Sequence, residues 1–119
     1  MGNTDSVLKW STLIPLVKSQ VEGLSLGGIE GVYRISKKEN DDKFYVVLIG
    51  SATDLNTELL KQISRAEFSK QSGEFSFRYA PVTGEEMRKA IEKQMYKQYV
   101  PRFNPTEPQS TLEVKVNLN

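Results

Sequence analysis

The sequence predicts a small α+β fold, on three observations. Two strand-like runs, IEGVYRI and KFYVVLIG, flank the polar stretch KKENDD and read as a hairpin. A third run, FSFRYA, alternates in the manner of a strand with two different faces. Two further segments, about 54–64 and 84–99, carry apolar residues at helical spacing. At 119 residues the chain is near the commonest domain size and long enough to bury a core without staples, so residues 1–119 read as one domain.

Taken in order, residues 11–24 place Leu13, Leu16, Val17 and Leu24 near helical spacing. Ser11 is a plausible N-cap there, Pro15 falls in the first turn, and Gly27 and Gly28 end the element. The continuous VVLI in the second strand of the hairpin points to a central strand covered on both faces. Thr53 or Asp54 caps the next helix, which buries Leu55, Leu59, Leu60 and Ile63. Strands over 29–35, 43–49 and 75–80 are expected to share one antiparallel sheet. Thr83, Gly84, Glu85 and Glu86 fit a capping box for the last helix, whose stripe is Met87, Ala90, Ile91 and Met95 and which Pro101 stops. Beyond NPTEPQS, residues 111–118 alternate cleanly and suggest an extra C-terminal strand, added to a sheet edge or to a second copy in a homodimer.

Composition removes several chemistries. There are no cysteines, so disulfides, thiolate zinc sites and a cysteine nucleophile are excluded. There are no histidines either, which removes the usual general base near neutral pH and the commonest transition-metal ligand. Any metal must then be a hard one held by carboxylates, with Mg²⁺ or Mn²⁺ the natural candidates. A net charge of +1 gives no overall basic bias, so an anion-binding surface has to come from local clustering of Lys and Arg. No segment is apolar enough for a membrane span or a signal peptide, and a cytoplasmic location is expected.

Three local features stand in one order: GVYRI opens the first strand, LIGSATDL ends the second, and a helix carrying Glu92 closes on YVPRFN. In this the chain resembles the GIY-YIG nuclease superfamily over about residues 29–104. The resemblance implies a three-stranded antiparallel sheet flanked by helices, DNA as partner, and cleavage that uses a divalent metal. It assigns Tyr33 to the tyrosine that positions or deprotonates the attacking water. It also assigns Glu92 to the metal-binding glutamate and Asn104 to the closing asparagine. Glu92 precedes Pro101 by the family's usual interval.

The second motif keeps Gly50 but has Leu48 where the family has a tyrosine. Strict strand alternation would put Tyr45 on the opposite side from Leu48, so that it could not replace it. Where the family has its catalytic arginine, eight residues after Gly50, this chain has Glu58. Cations aimed at the phosphoryl oxygens stabilise the charge that develops in cleavage. A transition-state arginine is typically worth about 10³–10⁵ in rate. A carboxylate there forfeits that and repels the phosphate as well. Lys61 or Arg65, further along the same helix, could supply a cation instead, or Glu58 and Glu92 could share a metal.

Each residue also has a plainer reading. Tyr33 could be a half-buried strand tyrosine, Glu92 and Glu58 solvated helix carboxylates, and Asn104 a turn cap before Pro105. Arg34, Lys61, Arg65, Arg78, Arg88 and Arg102 could together line a phosphate-tracking groove. The leading expectation is a nucleic-acid-binding domain with a degenerate nuclease centre. The alternatives are an active endonuclease with rearranged residues, and a protein-interaction module that uses the terminal strand.

Overall fold

The computed structural model describes residues 8–65, 74–104 and 106–118. The elements are β1 (Ile14–Pro15), α1 (Lys18–Glu22), β2 (Gly31–Lys38), β3 (Phe44–Ala52), α2 (Leu55–Ile63), β4 (Phe75–Pro81) and α3 (Glu85–Tyr99). The four strands form one antiparallel sheet in the order β1-β4-β2-β3. The fold is thus α+β, and the three expected strands do pair in one sheet.

The central strand is β2, not β3. Its residues Gly31 to Ser36 are all buried, although Arg34 and Ser36 give it a polar look in sequence. Strand β3 lies at the edge yet is still covered on both sides. Leu48 joins one core with Tyr33, Ile35, Phe77, Leu55 and Leu59, under α1 and α2. Ile49 joins a second core with Val32, Ala80, Ile91 and Met95, under α3. The outer edge of β3 is covered at Val47 and Ile49: Phe103 N–H donates to the Val47 carbonyl at 2.9 Å. The Asn104 side chain accepts from Ile49 N–H at 2.8 Å and donates to its carbonyl at 3.0 Å. These contacts meet the exposed backbone groups that an edge strand must otherwise leave to solvent.

The helix expected over residues 11–24 is helical only from Lys18 to Glu22. Upstream, the chain runs beside β4 instead: Ser11 N–H donates to the Tyr79 carbonyl at 2.8 Å and Leu16 N–H to that of Phe75 at 2.9 Å. Pro15 accounts for this. It would break a helix begun at Ser11, but it is tolerated on an edge strand, where it needs to donate nothing. The expected capping box is also not formed. Gly84 is the N-cap of α3 and makes no side-chain cap bond. Its N–H instead reaches Glu30 Oε1 at 3.0 Å. Asp54 does cap α2, accepting from the N–H groups of Thr57 and Gly28.

The segment expected as a strand over 111–118 forms no strand ladder among the described residues. It nevertheless docks on its own chain, burying Val116 and Leu118 in the second core. Amide side chains take the place of a strand partner. Gln94 accepts from Val116 N–H at 3.1 Å and donates to its carbonyl at 2.9 Å. Asn117 does the same for Leu8, at 2.7 and 3.1 Å. No helix among the described residues is long and apolar enough to cross a membrane.

Candidate functional site

A cleft of about 250 Å³ wraps the edge of β3 at Gly50. One wall belongs to the α2 face of the sheet. Tyr33 and Gly50 are register partners on β2 and β3, and the phenol ring lies directly over the glycine. A Cβ at position 50 would come within 2.4 Å of the Tyr33 hydroxyl, so only glycine fits beneath this ring. The motif glycine is therefore required by packing. Tyr33 donates to Glu58 Oε2 at 2.7 Å, and Gln62 Nε2 donates to both that oxygen (3.0 Å) and the Tyr33 hydroxyl (3.2 Å). Arg65 Nη1 in turn donates to Gln62 Oε1 at 3.1 Å. Residues 58 and 62 share one face of α2 by helical spacing, and Arg65 follows just beyond its C-cap, Ser64.

The other wall comes from α3. Glu92 is buried and accepts from the Ser51 hydroxyl at 2.6 Å through Oε2. Lys89, one turn earlier, places its Nζ 3.5 Å from the same oxygen. Asn104 also lines the cleft, but both ends of its amide are engaged by the backbone of Ile49. Its observed role is to hold the strand edge, with one donor and one acceptor of the amide engaged there.

Burial pushes the Tyr33 hydroxyl well above the ordinary tyrosine value. The charge of Glu58, its hydrogen bond and the charge of Glu92 push in the same direction, while Arg65 opposes them. Near neutral pH this phenol is a proton donor and not a base. Glu58 is thus no idle surface acid, because its carboxylate is the acceptor that Tyr33 needs when buried.

The sequence-derived cations mostly lie elsewhere. Arg65 lines the cleft. Arg34 projects to the opposite face of the sheet, buried between Trp10 and Tyr99, whose ring centroids lie 4.4 and 5.1 Å from its guanidinium carbon. Arg78 sits across from it on β4. Arg88 is buried and ion-paired with Glu30. Arg102 pairs with Glu39 at 3.3 Å and lies over Phe103. Lys61 is exposed on α2, outside the cleft lining. The expected single groove of six cations is therefore not assembled.

Tyr45 also differs from expectation. The register shift between Ile35 and Ser36 leaves Val47 as an extra residue, which resets the alternation of β3. Tyr45 opposite Lys37 and Leu48 opposite Ile35 consequently share a side, yet the Tyr45 hydroxyl donates to Asp41 at the hairpin tip and does not reach the cleft. The cleft residues that sequence reasoning missed are Ser51, Gln62 and Lys89. Each carried a signal in its spacing: Ser51 follows the motif glycine, Gln62 lies four residues after Glu58, and Lys89 three before Glu92.

The described donor set offers no all-protein cage for Mg²⁺ or Mn²⁺; the carboxylates that line the cleft are Glu58 and Glu92. No group of three or more Asp, Glu, His or Cys able to hold a metal exists among the described residues. Glu58 is committed to Tyr33 and Gln62, and Glu92 Oε2 to Ser51 and Lys89. An ammonium beside that carboxylate neutralises it and repels a second cation. No protein-family model matches the chain, and no curated protein or solved structure matches it.

Proposed function

We propose that this chain is a nucleic-acid-binding domain of GIY-YIG type, suited to DNA, in which cleavage has been lost. The observation that carries this reading is the pairing of Tyr33 with Glu58. The carboxylate stands where the family resemblance puts a catalytic arginine, and it holds the tyrosine hydroxyl at 2.7 Å. The hydroxyl expected to handle the attacking water is thus tied to an acid and kept protonated. A phosphate entering the cleft would meet no arginine at position 58.

Binding is still supported by the lining. Arg65 and Lys89 come from opposite walls, with the Ser51 hydroxyl between strand and helix. The cleft sets these two cations against two carboxylates, Glu58 and Glu92, so binding to backbone phosphates should be modest, weak in sequence preference and sensitive to salt. The docking of Val116 and Leu118 on their own chain occupies the surface that a terminal-strand interaction module would need.

The test pairs fluorescence anisotropy on a labelled DNA duplex with a plasmid and branched-DNA cleavage assay in Mg²⁺ or Mn²⁺. Binding that weakens with salt is expected, together with very slow cleavage or none. Glu58→Arg should tighten binding, since it exchanges a repulsive charge for an attractive one. Leu48→Tyr with Glu58→Arg is the variant in which cleavage could return. Robust cutting by the unaltered protein, lost in Glu92→Ala, would overturn the degenerate reading, and absence of any binding at low salt would overturn the reading as a whole.

A further inference from the structure

We infer that Lys89 is the resident cation of the cleft. Its ammonium stands beside Glu92 in the role that a divalent metal would otherwise fill, and it takes a backbone phosphate without metal. The inference rests on the nucleic-acid reading and specifies how that same site would hold its ligand.

The argument begins with an asymmetry in burial. The Glu92 side chain is 9% exposed and that of Lys89 47% exposed, although their charged atoms are 3.5 Å apart. The carboxylate is fixed from within by the Ser51 hydroxyl at 2.6 Å. The ammonium is anchored on its inner side and open on its outer one. A lysine ammonium has three donors in a rotatable, compact head, so it can stay ion-paired with Glu92 and offer donors to a phosphate oxygen. Mg²⁺ instead demands near-octahedral oxygen coordination at short range. An ion at Glu92 would have to be accommodated beside an ammonium that lies 3.5 Å from Oε2. On the facing wall, Glu58 Oε2 already accepts from Tyr33 and Gln62, so that oxygen is not a free metal ligand.

This assignment reverses the expected sign of one substitution. If Glu92 were a metal ligand, Glu92→Gln would weaken nucleic-acid binding and remove any metal dependence. If Glu92 instead restrains Lys89, Glu92→Gln removes a negative charge from the phosphate site and frees the ammonium. Binding should then tighten, while the glutamine oxygen can still accept from Ser51.

The experiment is anisotropy on a labelled duplex, with the full chain, in EDTA and separately in Mg²⁺, across a salt series. Equal affinity in the two buffers is expected, after matching ionic strength. Lys89→Gln should weaken binding on the order of tenfold at low salt and reduce the salt slope by about one. Lys97→Gln, on the same helix but outside the cleft, should leave both unchanged. Glu92→Gln should bind more tightly than the unaltered protein. Binding that requires Mg²⁺, weakening in Glu92→Gln, or an unaffected Lys89→Gln variant would each overturn the role of Lys89 while leaving nucleic-acid binding in place. No binding in either buffer by any variant would remove the functional reading and this inference together.

Discussion

Gly50→Ala probes the packing on which the whole cleft is built. The added Cβ would lie 2.4 Å from the Tyr33 hydroxyl, 2.5 Å from Cζ and 2.8 Å from Cε1, against 3.4–4 Å for ordinary contact. The ring must therefore retreat by about 1 Å in an interior with few voids. Tyr33 is only 2% exposed and its hydroxyl is bonded to Glu58 and Gln62, so a retreat of the ring strains or breaks those bonds. Overpacking of this kind costs about 1–3 kcal/mol. Displacing the hydroxyl from a charged acceptor adds about 1.5–3 kcal/mol. A total of about 2.5–6 kcal/mol is a large part of the ~5–15 kcal/mol typical of a folded domain.

Urea unfolding followed by the fluorescence of Trp10, the one tryptophan, would measure this loss. The controls follow from which atoms clash. Tyr33→Phe removes the hydroxyl but leaves the Cζ and Cε1 contacts, so Gly50→Ala should remain costly in that background. Tyr33→Leu removes the far end of the ring, and there the alanine should cost less by about 2 kcal/mol or more. A cost below about 1 kcal/mol in the unaltered chain, or an equal cost in the Tyr33→Leu background, would refute the close approach as the reason for glycine.

Three further outcomes follow from other parts of the structure. Arg34 is buried with its Nη1 unpartnered among the described residues, so Arg34→Met should hold or raise the urea midpoint, and a loss above about 2 kcal/mol would contradict this. Because folding raises the Tyr33 value, its stability contribution is complete below about pH 10 and is lost as pH rises through the folded value; Tyr33→Phe should flatten this alkaline limb in pH-dependent unfolding. Truncation after Gln109 removes Val116 and Leu118 from the second core and should lower stability by about 2–4 kcal/mol, whereas an unchanged midpoint would mean that the segment is not docked in solution.

The sheet strands and the two long helices were legible because their patterns are local: alternation in FSFRYA, and apolar spacing in α2 and α3. Strand order was not. Apolar VVLI marks a covered strand, but whether the cover comes from neighbouring strands or from helices and a closing loop is a tertiary matter. The polar Arg34 and Ser36 hid the central strand, because Arg34 is buried by stacking on rings from residues 10 and 99. Local reading also failed at Pro15, where edge pairing with β4 prevailed over helical spacing. In the cleft, the motif spacing brought Tyr33, Glu92 and Asn104 to one place. It could not show that Asn104 is committed to Ile49, or that Lys89 turns inward to Glu92. Those facts depend on the approach of α3 and the 103–104 loop to β3, which no local window contains.

The most direct measurement of the functional reading is a chemical-shift map of ¹⁵N-labelled protein titrated with a short DNA duplex in EDTA. Binding at the cleft predicts the largest shifts at Gly50, Ser51, Gln62, Arg65, Lys89 and Glu92, with the duplex recovered intact after Mg²⁺ is added in excess of the chelator. Shifts confined to the opposite face, around Trp10 and Tyr99, or no shifts at low salt, would contradict it.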